Sequence, residues 1–109
     1  MVYELRTYWA HQGKEDAMHA RFANHTINLF RAHGMTVVGF WSPDTARELH
    51  GDLVYLLAFP SHQERERMFN AFRDDPRWHA AKAASEVDGV LVSRVDSVMM
   101  DPTSYSPMH

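Results

Sequence analysis

Leu53-Val54-Tyr55-Leu56-Leu57-Ala58-Phe59 is the stretch on which the fold turns. It reads as a strand, and a strand wetted on one side should alternate apolar and polar residues. This one is apolar at both parities. Met35 to Trp41 repeats the pattern through Val37, Val38, Phe40 and Trp41, and the polar stretch between the two runs, with Pro43, Asp44 and Gly51, makes them neighbouring strands. Both faces of the resulting sheet call for cover.

Working outward, Val2 to Trp9 is rich in β-branched and aromatic residues and meets the turn-like His11, Gln12 and Gly13, which predicts a first strand. From Lys14 to His33 the residues Met18, Phe22, Leu29 and Phe30 recur at spacings of four, seven and one, an amphipathic helical stripe closed by Gly34 at C′. Ser61 and Glu64 form a capping box ahead of Met68, Phe69 and Phe72, and Asp75-Pro76 restarts a helical turn that carries Trp78. After Gly89, Val90 to Val98 supplies a last strand, and residues 101–109 form a proline-containing tail. The order is strand, helix, strand, strand, helix, strand over residues 1–100, a ferredoxin-like α+β domain with a four-stranded antiparallel sheet. Right-handed crossovers put both helical segments on one face. The other face is expected to be covered by a second copy, giving a homodimer; the competing arrangement is a monomer whose long loop and tail fold over it.

Composition narrows the function classes. A chain of 109 residues with 45% apolar and 23% charged residues suits one globular domain. Its net charge of -3 comes from mixed signs without a basic stripe, so no nucleic-acid partner is expected. Cysteine is absent, which excludes disulfides, thiolate catalysis and zinc-thiolate sites. Neither a leader nor a membrane span is visible, and a cytoplasmic location is the expectation. The eight histidines form no His-x-His or His-x-x-x-His pair, and neither a glycine-rich phosphate loop nor a nucleophile elbow occurs, so neither a metal nor a cofactor is expected.

Tyr3-Glu4-Leu5-Arg6-Thr7-Tyr8 ahead of a glycine-terminated helix, then Val38-Gly39-Phe40-Trp41, then Asp75-Pro76-Arg77-Trp78 and the terminal Tyr105-Ser106-Pro107 resemble the NIPSNAP family, in that family's order. The resemblance implies a ferredoxin-like fold paired as a dimeric α+β barrel, related to cofactor-free monooxygenases and polyketide cyclases. It implies no settled reaction, and animal members are linked to mitochondrial and vesicle-related interactions.

Several residues could carry chemistry. Glu4, Arg6 and Tyr8 share one face of the first strand, and a carboxylate and guanidinium on a central strand must be paired or hydrogen-bonded. Arg6 could bind an anionic or enolate oxygen, Glu4 could hold Arg6 or move a proton, and Tyr8 could donate a hydrogen bond; the alternative is an ion-pair network across a dimer. On the first helix His19, Thr26 and His33 fall near the direction of Phe22, with His25 on the other flank of the stripe, and an imidazole beside an apolar pocket can act as a base. Trp78 points to ligand stacking or packing, since an indole cannot exchange a proton usefully. The expected pocket residues are Tyr3, Thr7, His25, Tyr55, Phe72 and Trp78 on the helix side, with Trp41, Glu4, Arg6 and Tyr8 on the dimer side. The function expected is binding of a small aromatic or polyketide-like molecule, with cofactor-free catalysis open; the rival is a protein-interaction or sensing module.

Overall fold

The computed structural model describes residues 1–109. Strands β1 (Val2–Ala10), β2 (Thr36–Trp41), β3 (Leu53–Phe59) and β4 (Val92–Met100) form one antiparallel sheet in the order β2-β3-β1-β4, the ferredoxin-like arrangement. Between β1 and β2 run α1 (Glu15–Arg21), a π-helical turn (Phe22–Thr26) and α2 (Ile27–Ala32) as one continuous rod. The periodicity of the sequence anticipates the rod but not the π turn. A short α3 (Arg47–His50) interrupts the β2–β3 connection, and α4 (His62–Arg73) and α5 (Pro76–Ser85) lead into β4.

Local chemistry sets the helix ends. Ser61 accepts a hydrogen bond from the Glu64 backbone N–H at 3.1 Å, but the Glu64 carboxylate accepts from Arg67 at 2.7 Å, so one half of the capping box forms. Asp75 caps α5 through the Arg77 N–H at 2.8 Å, with Pro76 in the first turn. Gly34 ends the rod at φ +84°, a left-handed value that costs a residue without Cβ little.

Leu53, Tyr55, Leu57 and Phe59 of β3 turn toward the helices and join Phe22, Phe30, Phe69 and Phe72 in one core. Burying each such side chain contributes about 1.5–3 kcal/mol. The opposite parity, Val54, Leu56 and Ala58, lies beside Tyr3, Leu5 and Thr7 of β1 on the helix-free face. The molecule measures 46 × 35 × 18 Å, and its thinnest dimension matches one sheet plus one helical layer.

The two ends of the helix-free face are covered by the chain itself. Trp9 donates its indole N–H to the Arg47 carbonyl at 2.8 Å, and the Arg94 guanidinium lies 4.4 Å from its ring. At the other end, Pro102, Thr103, Ser106 and Met108 of the tail flank a shallow cleft with Tyr3, Leu56 and Met100. Between them Trp41 and Val98 are each 54% exposed. The apolar parity that decided the fold thus leaves an uncovered central strip.

Candidate functional site

The polar face of β1 turns toward the helices, against the assignment made from periodicity alone. Arg6 lies 4.8 Å from the Phe69 ring of α4, and Tyr8 meets Phe22 edge-on at 5.2 Å. Alternation along β1 then puts Tyr3 and Thr7 on the helix-free side. The pairing of residues within each parity was right, and the side was inverted. An Arg-Glu pair can be buried under helices because a dense hydrogen-bond set accompanies it.

Glu4 is fully buried. Its carboxylate accepts from Arg6 Nη1 at 2.8 Å, from Arg65 Nε and Nη2 at 2.9 and 2.7 Å, and from Ser97 Oγ at 2.5 Å. Burial alone would raise its pKa, but the hydrogen bonds from Arg65, Ser97 and Arg6 outweigh that and hold it at about 2. A carboxylate so saturated cannot take a proton near neutrality, so of its two possible roles Glu4 fills that of holding Arg6. It fixes the Arg6 guanidinium.

Arg6 spends two more of its five N–H donors on tyrosines, Nε to Tyr55 Oη at 2.9 Å and Nη2 to Tyr8 Oη at 3.0 Å. Burial disfavours its charge, yet the Tyr55 and Tyr8 oxygens and Glu4 overcompensate and keep Arg6 protonated. Burial, followed by the neighbouring Tyr8, pushes the Tyr55 hydroxyl well above its ordinary pKa, so Tyr55 stays neutral. The two hydroxyls lie 3.0 Å apart, and either can donate to the other. Two hydroxyl protons serve one such bond, so one proton remains. With Tyr55 as donor, the free proton sits on Tyr8.

Tyr8 and Arg6 line a partly open cavity of about 140 Å3 together with Arg21, Phe22, Thr26, Phe30, Phe69, Phe72, Arg73 and Trp78. The Phe72 and Trp78 rings are 4.9 Å apart and inclined by 33°. No carboxylate or imidazole lines this space. The π turn shapes its roof. Ile27 N–H reaches back to the Phe22 carbonyl, and the wider turn brings Arg21, Phe22 and Thr26 to one wall, where π turns elsewhere often mark functional positions. A second, more open apolar cleft of about 310 Å3 lies on the far side of Phe22, lined by His19, Ala23, Ile27, Phe40 and Leu53.

The family model described as NIPSNAP matches residues 3–107. The chain belongs to the NIPSNAP family. Among solved structures, this NIPSNAP chain is similar to a NIPSNAP family protein with unknown function from Agrobacterium tumefaciens at 25% identity and a TM-score of 0.82, covering 100% of this chain and 94% of that one. A second NIPSNAP family protein from Agrobacterium tumefaciens aligns at 19% identity and a TM-score of 0.83, covering 99% and 98%. An uncharacterized NIPSNAP domain protein from Burkholderia xenovorans aligns at 20% identity and a TM-score of 0.81, covering 98% and 99%. None of the curated proteins is a significant match.

Of the residues singled out in the NIPSNAP sequence, Arg6, Tyr8, Phe72 and Trp78 meet at the cavity, with Glu4 and Tyr55 behind them. Tyr3, Thr7 and Trp41 belong to the other face. His25 is exposed and borders a shallow groove with Asn24, Ala81 and Ser85 instead of the cavity, so it has no enclosed site to serve as a base. The imidazole beside an apolar cleft is that of His19. His33 pairs with Asp75 at 2.8 Å, a contact between the end of the rod and the cap of α5. Arg21, Arg65, Arg73 and Ser97 were not singled out. In a straight helix Arg21 would lie about 140 degrees from Thr26, so only the π turn unites them. No helix is long and apolar enough to cross a membrane.

Proposed function

We propose that this NIPSNAP protein is a homodimer whose subunits each bind a small aromatic or polyketide-like molecule between sheet and helices. The observation that carries the reading is the aromatic cavity of about 140 Å3 bordered by Arg6 and Tyr8, both fixed from behind by Glu4 and Tyr55. An engineered apolar cavity of roughly 150 Å3 holds a benzene ring, so the space suits one ring. Preoriented donors at the end of an apolar slot stabilise negative charge on a ligand oxygen. The chemistry supported is therefore cofactor-independent stabilisation of an enolate or phenolate, of the kind a monooxygenase or cyclase needs. Dimerisation rests on the uncovered strip around Trp41 and Val98, and a cytoplasmic location belongs to the same proposal.

The experiment is mass spectrometry of small molecules retained by the purified protein under non-denaturing conditions. A stoichiometric aromatic ligand, lost on denaturation, is the expected result; a protein that comes out empty and is not stabilised by any aromatic compound would overturn the reading. The interaction-module alternative draws on Tyr105 of the tail, 85% exposed. Deletion of residues 101–109 separates the two, because a cavity ligand survives it and a tail-borne partner does not.

A further inference from the structure

The walls of the cavity carry charge that the network beneath it does not explain. Arg21 is 6% exposed and lines the space. Its Nη1 donates to Ser85 Oγ and Glu86 Oε2, both at 3.1 Å, while its Nε is buried without an acceptor. A buried N–H of this kind is rare and calls for a partner. Arg73 also lines the cavity; its guanidinium lies 4.8 Å from the Phe69 ring, and it enters none of the fold's ion pairs. Arg6 already shares its single carboxylate with Arg65. Arg65 has Glu66 as a second partner and Arg21 has Glu86, so Arg73 is the wall cation left without a carboxylate, beside a space that contains no acidic side chain.

The aromatic walls limit what can answer that charge. Trp78 lies 4.9 Å from Phe72 and 5.2 Å from the Arg21 guanidinium, so a flat ring that reaches this aromatic pair comes beside Arg21. The volume admits about one ring. Arginine presents paired N–H groups that match a carboxylate.

We propose, resting on the small-molecule reading above, that the ligand is a single-ring aromatic carboxylate. Arg21 and Arg73 hold its carboxylate, Phe22, Phe72 and Trp78 contact its ring, and Tyr8 donates to an oxygen at the opposite end.

Titration calorimetry of the full chain with benzoate, benzamide and acetate tests this. Benzoate is expected to bind at least about tenfold more tightly than its neutral isostere benzamide, or than acetate, which lacks the ring. Arg73→Gln, at an exposed position, should fold normally and weaken benzoate by roughly tenfold. Glu86→Gln removes the carboxylate that competes for Arg21 and should tighten benzoate binding, an effect opposite to that of a merely structural lesion. Equal binding of benzoate and benzamide, or unchanged benzoate affinity in both variants, would overturn the carboxylate assignment and leave the aromatic cavity standing. If neither ring compound binds, the carboxylate assignment falls, and an empty protein in the retained-ligand experiment would then remove the parent reading as well.

Discussion

Glu4→Gln removes one oxygen and one charge from the most densely bonded side chain of the fold. In the wild type, Arg6, Arg65 and Ser97 deliver four hydrogen bonds to that carboxylate. A glutamine would present an NH2 group to donors and leave two guanidinia without their shared counter-ion. The Glu4 pKa falls from 4.5 to about 2 on folding. At about 1.36 kcal/mol per unit, the ionised form therefore contributes on the order of 3 kcal/mol to stability at pH 7. Breaking a buried pair by removing one partner costs about 3–5 kcal/mol, which agrees. For a domain of this size the midpoint should fall by roughly 10–15 °C. Because the folded pKa lies below the unfolded one, this stabilisation is complete above about pH 4.5 and is lost as pH falls toward 2. Thermal unfolding of both proteins from pH 2 to pH 7 checks the claim. The variant should have a lower midpoint at pH 7 and a shallower acid limb, the two curves converging near pH 2. A midpoint within about 2 °C of wild type at pH 7, with an unchanged acid limb, would refute the argument.

Three further outcomes follow from the same geometry. Gly51→Ala should destabilise by about 2 kcal/mol or more on chemical denaturation, because φ is +80° and the new Cβ would sit 2.6 Å from Thr7 Cγ2 and 3.0 Å from the Tyr8 carbonyl; a neutral result would mean that α3 and its loop are free to move off the sheet. Val98→Lys, on the uncovered strip, should shift the sedimenting species from a dimer to the 12.6 kDa monomer without unfolding it; a wild type that already sediments as a monomer at micromolar concentration would remove the dimer. Tyr8→Phe should cost only about 1 kcal/mol, since Arg6 keeps its bonds to Tyr55 and Glu4; a loss above about 3 kcal/mol by denaturant titration would make Tyr8 a structural member of the network rather than a ligand donor.

The element order was legible because each element announces itself locally. Short β-branched, aromatic and apolar runs between turn residues mark the strands, Ser61 and Asp75 cap their helices as their side chains predict, and Gly34 and Gly89 punctuate. Which residues of β1 share a face was equally plain, since a strand has a fixed period of two. The side on which that face lies was not, because parity carries no sign. Polar Glu4, Arg6 and Tyr8 suggested the face away from the helices; what reverses the assignment is Arg65, Ser97 and Tyr55, residues 47 to 93 positions away in sequence that together supply partners for all three. Only tertiary structure brings such partners together, so a sequence period cannot reveal that a buried ion pair has enough hydrogen bonds to be tolerated.

The Arg21–Thr26 wall of the cavity was hidden for a related reason, although Phe72 and Trp78 were expected there. Reading the rod at 100 degrees per residue assumes that its period never changes, and between Phe22 and Thr26 it does. The extra residue in that turn places Arg21 and Thr26 on a common wall and sets Phe22 between the aromatic cavity and the apolar cleft beside His19. In a regular helix Arg21 and Thr26 would point about 140 degrees apart, and the wall that joins Thr26 to an Arg21 paired with Glu86 and lying over Trp78 would not form. A π turn forgoes the tighter hydrogen-bond geometry of the α-helix, so its presence here has to be offset by contacts that only it permits. Those contacts are the ones that line the candidate site.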